Sequence, residues 1–523
     1  MWNKKERGVG HLKQAYDAVV IGSGMGGLAA GCNLARSGLS VLLLEQHNIP
    51  GGVTTSFKRG RFEFEISVQC ITEYGSKAEK GPIYRFLVDD LGIDIDFPMM
   101  TEGRFVAWTD TNEKMVVPLK KEELIRFIEQ RVPGSEPSIR AYLDFCDEML
   151  SAINYINDND AAIKPVELIM KHKGIVAAAG LTTKDVTDRF QIPAKALEYL
   201  DVYWTFIGLP MDAVAFPIYG TVISCMDSVP VYAPRKTTYE ISALMAKKFT
   251  ELGGELLCNT RVDKILVENG KVTGVVTQRG EVVKTNYVYS NALPHNVFNK
   301  LIYPKTELPA KALKRLNMRT VGTSFLSMYM GLDRSAEELG LNHYMYYFAK
   351  NGDINAAYAG IGDLTPNDCF AGMCPNPLIP DASPEGTCIF HLETICRSEP
   401  WGELSDRAYF AKKHELAGDL IDRASDVLGV PIRDHIEEIE VAAPQTFARY
   451  IGSYMGNVYA YDHRVYDSVV IKAMTQDKER LIDGLSFVGN AGLLVAGFPS
   501  SILSGRLATI EQIEHAGAQQ RRA

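Results

Sequence analysis

The sequence predicts an α/β fold in which a parallel sheet carries a β-meander, with a second, α+β region threaded between its pieces. Three observations predict it. A glycine-rich turn joins an apolar strand to a helix near residue 22, an amphipathic helix near residue 241 leads into a run of short strands, and a second strand–glycine–helix turn occurs near residue 489.

The first block opens with Ala15 to Ile21, AYDAVVI, a short apolar run followed directly by Gly22-Ser23-Gly24-Met25-Gly26-Gly27. This is G-x-G-x-x-G at a strand end. From Gly26 onward Leu28, Cys32 and Ala35 recur at helical spacing, and Gly38 supplies a natural stop. A second strand, Leu39 to Leu44, ends in Glu45 and Gln46. Strand, turn, helix, strand and acid thus come in the order a Rossmann unit needs. Gly22 permits the tight turn, Gly24 lets the backbone approach a pyrophosphate, and Gly27 allows helix and strand to pack closely. Met25 and Gly26 start the helix, whose N-terminus supplies the positive end of the dipole. Glu45, 18 residues past Gly27, is placed to accept hydrogen bonds from a ribose diol and would repel the extra phosphate of NADP.

That motif alone serves FAD and NAD equally. The continuation favours FAD, because Gly51, Gly52 and Val53 follow where an NAD domain more often proceeds to its next crossover helix. Arg59 or Arg61 is expected on a phosphate; the alternative is that this segment is a surface turn.

The middle block, residues 237–294, reads as a helix with Ile241, Leu244, Met245 and Phe249 on one face. A meander of strands follows, with turns at Glu268-Asn269-Gly270 and Arg279-Gly280. In the last block a strand from Leu485 to Val488 leads through Gly489-Asn490-Ala491-Gly492 and Gly497-Phe498 to a helix beginning about Ser500.

Together the three blocks resemble the phytoene desaturase, carotenoid isomerase and retinol saturase group of FAD-dependent oxidoreductases, over about residues 15 to 515. The resemblance implies an amine-oxidase-like architecture and FAD as cofactor. It places Gly489, Asn490, Gly497, Phe498, Ser500, Ser504 and Gly505 at a helix start facing the flavin, the Val262 backbone beside the adenine, and Ser290-Asn291-Ala292 beneath the cofactor. The Trp401, Tyr409 and Lys412 segment looks more like the isomerase and saturase branch. The block around Pro444, Tyr450, Gly456 and Tyr459 matches a pocket-lining segment, although its aromatics suit a core equally well. Three departures stand out: Phe64-Glu65-Ile66-Ser67 where the group has F-D-x-G, Pro234-Arg235-Lys236-Thr237 where it often has P-x-G-G, and Asn490 where it has aspartate.

Composition limits the function classes. With 55 Lys and Arg against 64 Asp and Glu, the net charge of −9 disfavours a nucleic-acid partner. Nine cysteines without C-x-x-C pairing, and ten scattered histidines, offer no metal site. The odd cysteine count and the absence of a signal-like start point to a reducing, cytoplasmic location with reduced thiols. Residues 1–14 read as a loose leader. Tyr203 to Met226 carries Asp212 as its one charge, but Gly208, Pro210, Pro217 and Gly220 argue against a membrane span. Its plain reading is a buried core segment; the sharper one is an apolar tunnel wall or a surface dipping into the membrane interface.

At 523 residues the chain needs more than one packed region. The cofactor domain is expected over 15–100, 230–300 and 475–516, and the substrate domain over 101–229 and 301–474. No Ser/His/Asp set is found, as suits chemistry carried by a cofactor. Glu65 is the candidate catalytic acid, because a carboxyl in an apolar pocket near a flavin can shuttle protons. His295 lies close in sequence to the expected cofactor region but reads as structural, and a role for Arg449 is weaker still. The expected function is desaturation, saturation or cis–trans isomerisation of a long apolar substrate such as a carotenoid, isoprenoid or fatty-acyl chain. Such a substrate brings peripheral membrane contact with it. An amine-oxidase-like flavoenzyme and a prenyl-binding escort-like protein are the rival readings.

Overall fold

The computed structural model describes residues 12–66, 70–159, 165–235, 237–473, 480–494 and 497–520. Most of the expected leader, together with Ser67 and Lys236, lies outside them.

The first apolar runs form a five-stranded parallel sheet in the order β18-β11-β1-β2-β7. Its strands are β1 Ala18–Ile21, β2 Val41–Leu44, β7 Glu255–Leu257, β11 Val288–Ser290 and β18 Leu485–Phe487. β1 and β2 are buried throughout, as expected for strands covered on both faces. Helix α1, Met25–Arg36, starts at Gly24 and ends at Ser37 before Gly38 at φ +82°. That left-handed conformation is cheapest for glycine, which explains the stop. Against α1 pack α4, Tyr239–Glu251, and α6, Phe498–Ala508.

The expected meander forms a second sheet, β10-β9-β8-β12. Here β8 Val262–Glu268 and β9 Lys271–Thr277 are joined through Asn269 and Gly270, both at positive φ, the geometry of a tight hairpin turn. β10 is Val282–Lys284, and β12, Ile302–Tyr303, pairs with β8 just past the expected boundary at 300.

The third sheet has seven strands in the order β17-β13-β16-β15-β14-β5-β6. These are β5 Arg104–Trp108, β6 Glu113–Val117, β13 Ser324–Leu332, β14 Met345–Ala349, β15 Cys369–Met373, β16 Cys388–Cys396 and β17 Ile436–Ala442. All fall within 101–229 and 301–474. Strand alternation gives its central strands two buried faces. Leu326, Met328, Met330 and Leu332 of β13, with Phe390 and Leu392 of β16, pack under α5, Asp406–Leu428. Phe325 and Tyr329, with Ile389 and Ile395, face the opposite way. Over that other face lie α2, Glu136–Asp158, and α3, Phe216–Asp227.

One hairpin crosses from the cofactor span to this third sheet. β3 Ser56–Arg59 and β4 Phe62–Glu65 pair antiparallel; Arg59 meets Glu440 at 2.8 Å and Arg61 meets Glu437 at 2.6 Å on β17.

Candidate functional site

The last residues of the five parallel strands stand in one row, Leu257, Leu44, Ile21, Ser290 and Phe487, each in register with its neighbour. Every loop leaving that edge therefore starts at the same level, at the carboxyl ends where open α/β sheets bind their ligands. A cavity of about 1350 Å³ opens there. It exceeds the roughly 300–1,000 Å³ of a single small-molecule site, so one ligand does not fill it.

The three sequence blocks meet on this cavity. Gly22, Gly24, Met25 and Gly26 line it from the first loop, Glu45, Gln46, Gly51, Gly52 and Val53 from the second, and Val262 and Asn291 from the middle block. Gly489, Asn490, Gly497, Phe498 and Ser500 line it from the last block. The glycines interlock as well as face the void. A Cβ on Gly26 would overlap the Gly489 backbone, one on Gly24 the Asn291 amide, one on Gly27 the Gly22 carbonyl, and one on Gly505 the Gly26 carbonyl. Gly27 accordingly packs helix on strand, and Gly505 lets α6 rest on α1.

Glu45 is buried, and its carboxylate is already oriented. Ser23 donates to it from both N and Oγ at 2.7 Å, and the His47 N–H donates to its other oxygen at 2.7 Å. No side chain caps the start of α1 at Gly24 or of α6 at Gly497, and neither first turn holds an acid. Two helix N-termini thus present backbone N–H groups and positive dipole ends to the cavity. Asn490 ties the second of these in place: its Nδ2 donates to the Val458 carbonyl at 3.0 Å, and its Oδ1 accepts from Ser501 Oγ at 2.9 Å. An aspartate could not make the first of these bonds, which accounts for the amide. Uncapped N-termini, a pre-oriented acid and open backbone fit a dinucleotide.

Two expectations are corrected. Arg61 does not line the cavity: it sits on the exposed β3–β4 turn, where Glu437 takes its guanidinium through two bonds at 2.6 and 2.8 Å. Arg59, on the rim, is likewise engaged by Glu440. Glu65 is buried but turned away from the cavity. Its two oxygens accept from Thr238 N at 2.6 Å and Thr238 Oγ1 at 2.8 Å, which holds the carboxylate at the start of α4, where the helix dipole favours it. His295 stacks on Tyr454 at 4.5 Å and bonds Tyr461 at 3.2 Å, a structural setting in which burial lowers its pKa.

Beyond the glycine loops the cavity continues as an apolar chamber. Tyr203 to Met226 is both buried core and cavity wall: Phe206, Ile207, Ile218, Val222 and Met226 line the chamber. No helix among the described residues is long and apolar enough to cross a membrane. The floor is the inner face of the third sheet, where Phe325, Tyr329 and Glu393 line the cavity, with Tyr459 beside them. Tyr329 pairs across strands with His391, their rings stacked at 4.6 Å, and donates its O–H to the Ile66 carbonyl at 2.6 Å. Burial pushes His391 down to about 3, so its 3.7 Å approach to Glu393 joins a carboxyl to a neutral imidazole at physiological pH. Glu393 and His391 were missed in the sequence, although two ionisable residues at alternate positions of the mostly apolar CIFHLETIC were a readable signal.

Comparison with known proteins bears on this geometry. Residues 20–87 match the model of an NAD(P)-binding Rossmann-like domain. The chain is 25% identical to the chloroplastic prolycopene isomerase of Daucus carota, over 85% of this chain and 71% of that protein. It is 25% identical to the all-trans-retinol 13,14-reductase of Danio rerio, over 92% and 85%. The resemblance read from the three blocks is borne out, and with it the catalytic class. The protein is an enzyme of the flavin-dependent oxidoreductase type. Its fold is that of the flavin amine oxidases: putrescine oxidase superposes with a TM-score of 0.62 over 96% of this chain and 99% of that one, at 13% identity. The Rossmann-like segment and the fold together point to a flavin-type dinucleotide as cofactor.

Proposed function

We propose that the enzyme binds FAD and acts on carbon–carbon bonds of a long apolar substrate, such as a carotenoid, isoprenoid or fatty-acyl chain, by desaturation, saturation or cis–trans isomerisation. The observation that carries this is the continuity of one cavity of about 1350 Å³ from the glycine loops and Glu45 to an apolar chamber. The relatives' names point the same way, to carotenoid and retinoid chemistry.

Bound FAD would supply hydride or electron transfer. The chain's own residues do the rest. The Gly24–Gly26 backbone and the α1 N-terminus take the pyrophosphate, Glu45 takes the ribose diol, Val262 lies at the adenine end, and Asn490 holds the α6 N-terminus toward the ring. Phe206, Ile218 and Phe325 exclude water and align an extended apolar chain. Burial pushes the phenols of Tyr329 and Tyr459 upward, so both stay protonated on the chamber wall. A substrate this apolar is collected from a membrane surface, which makes peripheral contact part of the proposal.

Purified protein reconstituted with FAD should show flavin absorbance that bleaches on anaerobic reduction. The reduced enzyme is then incubated with an apolar lipid extract and the products weighed by mass spectrometry. A change of two hydrogens marks saturation or desaturation, and a new isomer of unchanged mass marks isomerisation. Protein that never takes up flavin would overturn the reading, and so would turnover of amines with release of peroxide.

A further inference from the structure

The short helix Pro165–Lys171 is inverted relative to an ordinary surface helix. Val166, Ile169 and Met170 are 64%, 44% and 71% exposed, whereas Leu168 is buried in the core. The three exposed residues stand at i, i+3 and i+4, so they share one outward face. A solvated helix turns its polar side outward. No other helix among the described residues exposes three large apolar side chains.

The rim of this face is basic. In the stretch KPVELIMKHK, Lys164, Lys171 and Lys173 stand against the single acid Glu167, on a chain whose net charge is −9. Lys171 donates to Tyr155 Oη at 3.0 Å and lies over its ring at 4.6 Å, and the His172 ring packs on the same tyrosine at 5.0 Å. Apolar side chains outermost, with lysine and tyrosine beside them, match the layering of a bilayer surface, where amphipathic rings and lysines sit at the level of the headgroups. A second copy of the chain fits less well, since three side chains of this size fall far short of the roughly 800 Å² that each partner buries in a stable complex.

The place of the helix in the fold points to the same occupant. It leads directly into the helix Lys173–Ala178, which packs on α2 and α3. Ile218, Thr221 and Val222 of α3 line the chamber. The exposed apolar face therefore belongs to the helical layer that walls the chamber.

We propose that Val166, Ile169 and Met170 form a membrane-docking surface, which enters an anionic bilayer while Lys171 and Lys173 meet its headgroups. This rests on the apolar-substrate reading above and names the surface that brings the chamber wall to the lipid.

The test is flotation of flavin-loaded enzyme with vesicles of phosphatidylcholine alone or mixed with phosphatidylserine. The wild type is expected to bind the mixed vesicles more tightly. The double variant Ile169→Ser, Met170→Ser should bind both kinds at least about tenfold more weakly, because the apolar area that enters the lipid is gone. Lys173→Glu should weaken binding to the mixed vesicles alone, and added salt should erase that difference. Met318→Ser, which changes a methionine 72% exposed elsewhere on the surface, should bind as the wild type does. All variants keep flavin absorbance and a thermal midpoint at or above the wild-type value. Equal vesicle binding by the wild type and the double variant overturns the surface, as does an equal loss in Met318→Ser. A wild type that ignores vesicles but dimerises with rising concentration, where the double variant stays monomeric, overturns it in favour of a second copy. None of these outcomes touches the apolar-substrate reading, which falls only if reduced enzyme leaves a detergent-dispersed lipid extract unchanged.

Discussion

The two arms of the cavity are built by opposite means. The dinucleotide arm is made of backbone: glycines that interlock, helix N-termini without caps, and one acid, Glu45, fixed by its own loop. The substrate chamber is made of side chains from distant strands and helices, with Tyr329 from β13, Glu393 from β16 and Met226 from α3 meeting across gaps of many tens of residues. A backbone site demands particular residues at particular spacings, because a single Cβ fills it. A side-chain site tolerates any set that leaves the right volume and polarity, and so writes a weaker signature into the chain.

That contrast is open to direct attack. The largest effect is expected for Gly26→Ala, whose methyl would overlap the Gly489 backbone. Neither loop can retreat without moving a strand end, so flavin loading is lost, read as absence of flavin absorbance after reconstitution. An enzyme that still loads FAD normally would show that the interlock is soft. Next comes Glu45→Gln, which keeps the shape but gives up charge-assisted bonds from Ser23 and His47. A loss of about 1.5–3 kcal/mol, or roughly ten- to a hundredfold in FAD affinity, is expected by titration of the apoprotein.

The chamber side carries the acid sensitivity. His391 and His463 are buried, with pKa values pushed down to about 3 and about 4. A depressed folded-state value stabilises the fold above the unfolded pKa near 6.5, and that stability is lost as pH falls toward the folded value. The thermal midpoint should therefore drop between about pH 6.5 and pH 4. His391→Gln should flatten that slope; an unchanged slope would show that His391 is not its source. The smallest effect is expected for Glu65→Gln. The amide oxygen still accepts from Thr238, so the change costs about 1 kcal/mol of stability and leaves flavin reduction within about twofold. A large loss of reduction rate would return Glu65 to catalysis.

How much could be read from the chain follows the same division. Gly22, Gly24, Met25, Gly26, Glu45, Gly51, Val262, Asn291, Gly489, Asn490, Gly497, Phe498 and Ser500 were legible as residues that meet at one cavity, because G-x-G-x-x-G at a strand end and glycine beside a helix start answer a steric demand that residues with a Cβ do not meet. Arg61 and Glu65 were misplaced for one reason: a charged side chain near a motif in sequence is free to point elsewhere, and here Glu437 and Thr238 claimed them. Both partners lie far along the chain, 376 residues away in the first case and 173 in the second.

By itself the sequence determined the parallel sheet and the glycine turns with Glu45, since these rest on local steric requirements that glycine and a strand-end acid meet, while the type of enzyme followed from the resemblance of the three blocks to known flavoenzymes. The tertiary structure alone decided the chamber. It set which face of β13 and β16 turns inward, and it tied Glu65 to the start of α4. Those outcomes depend on which remote elements pack together, and no spacing within a strand records its neighbours.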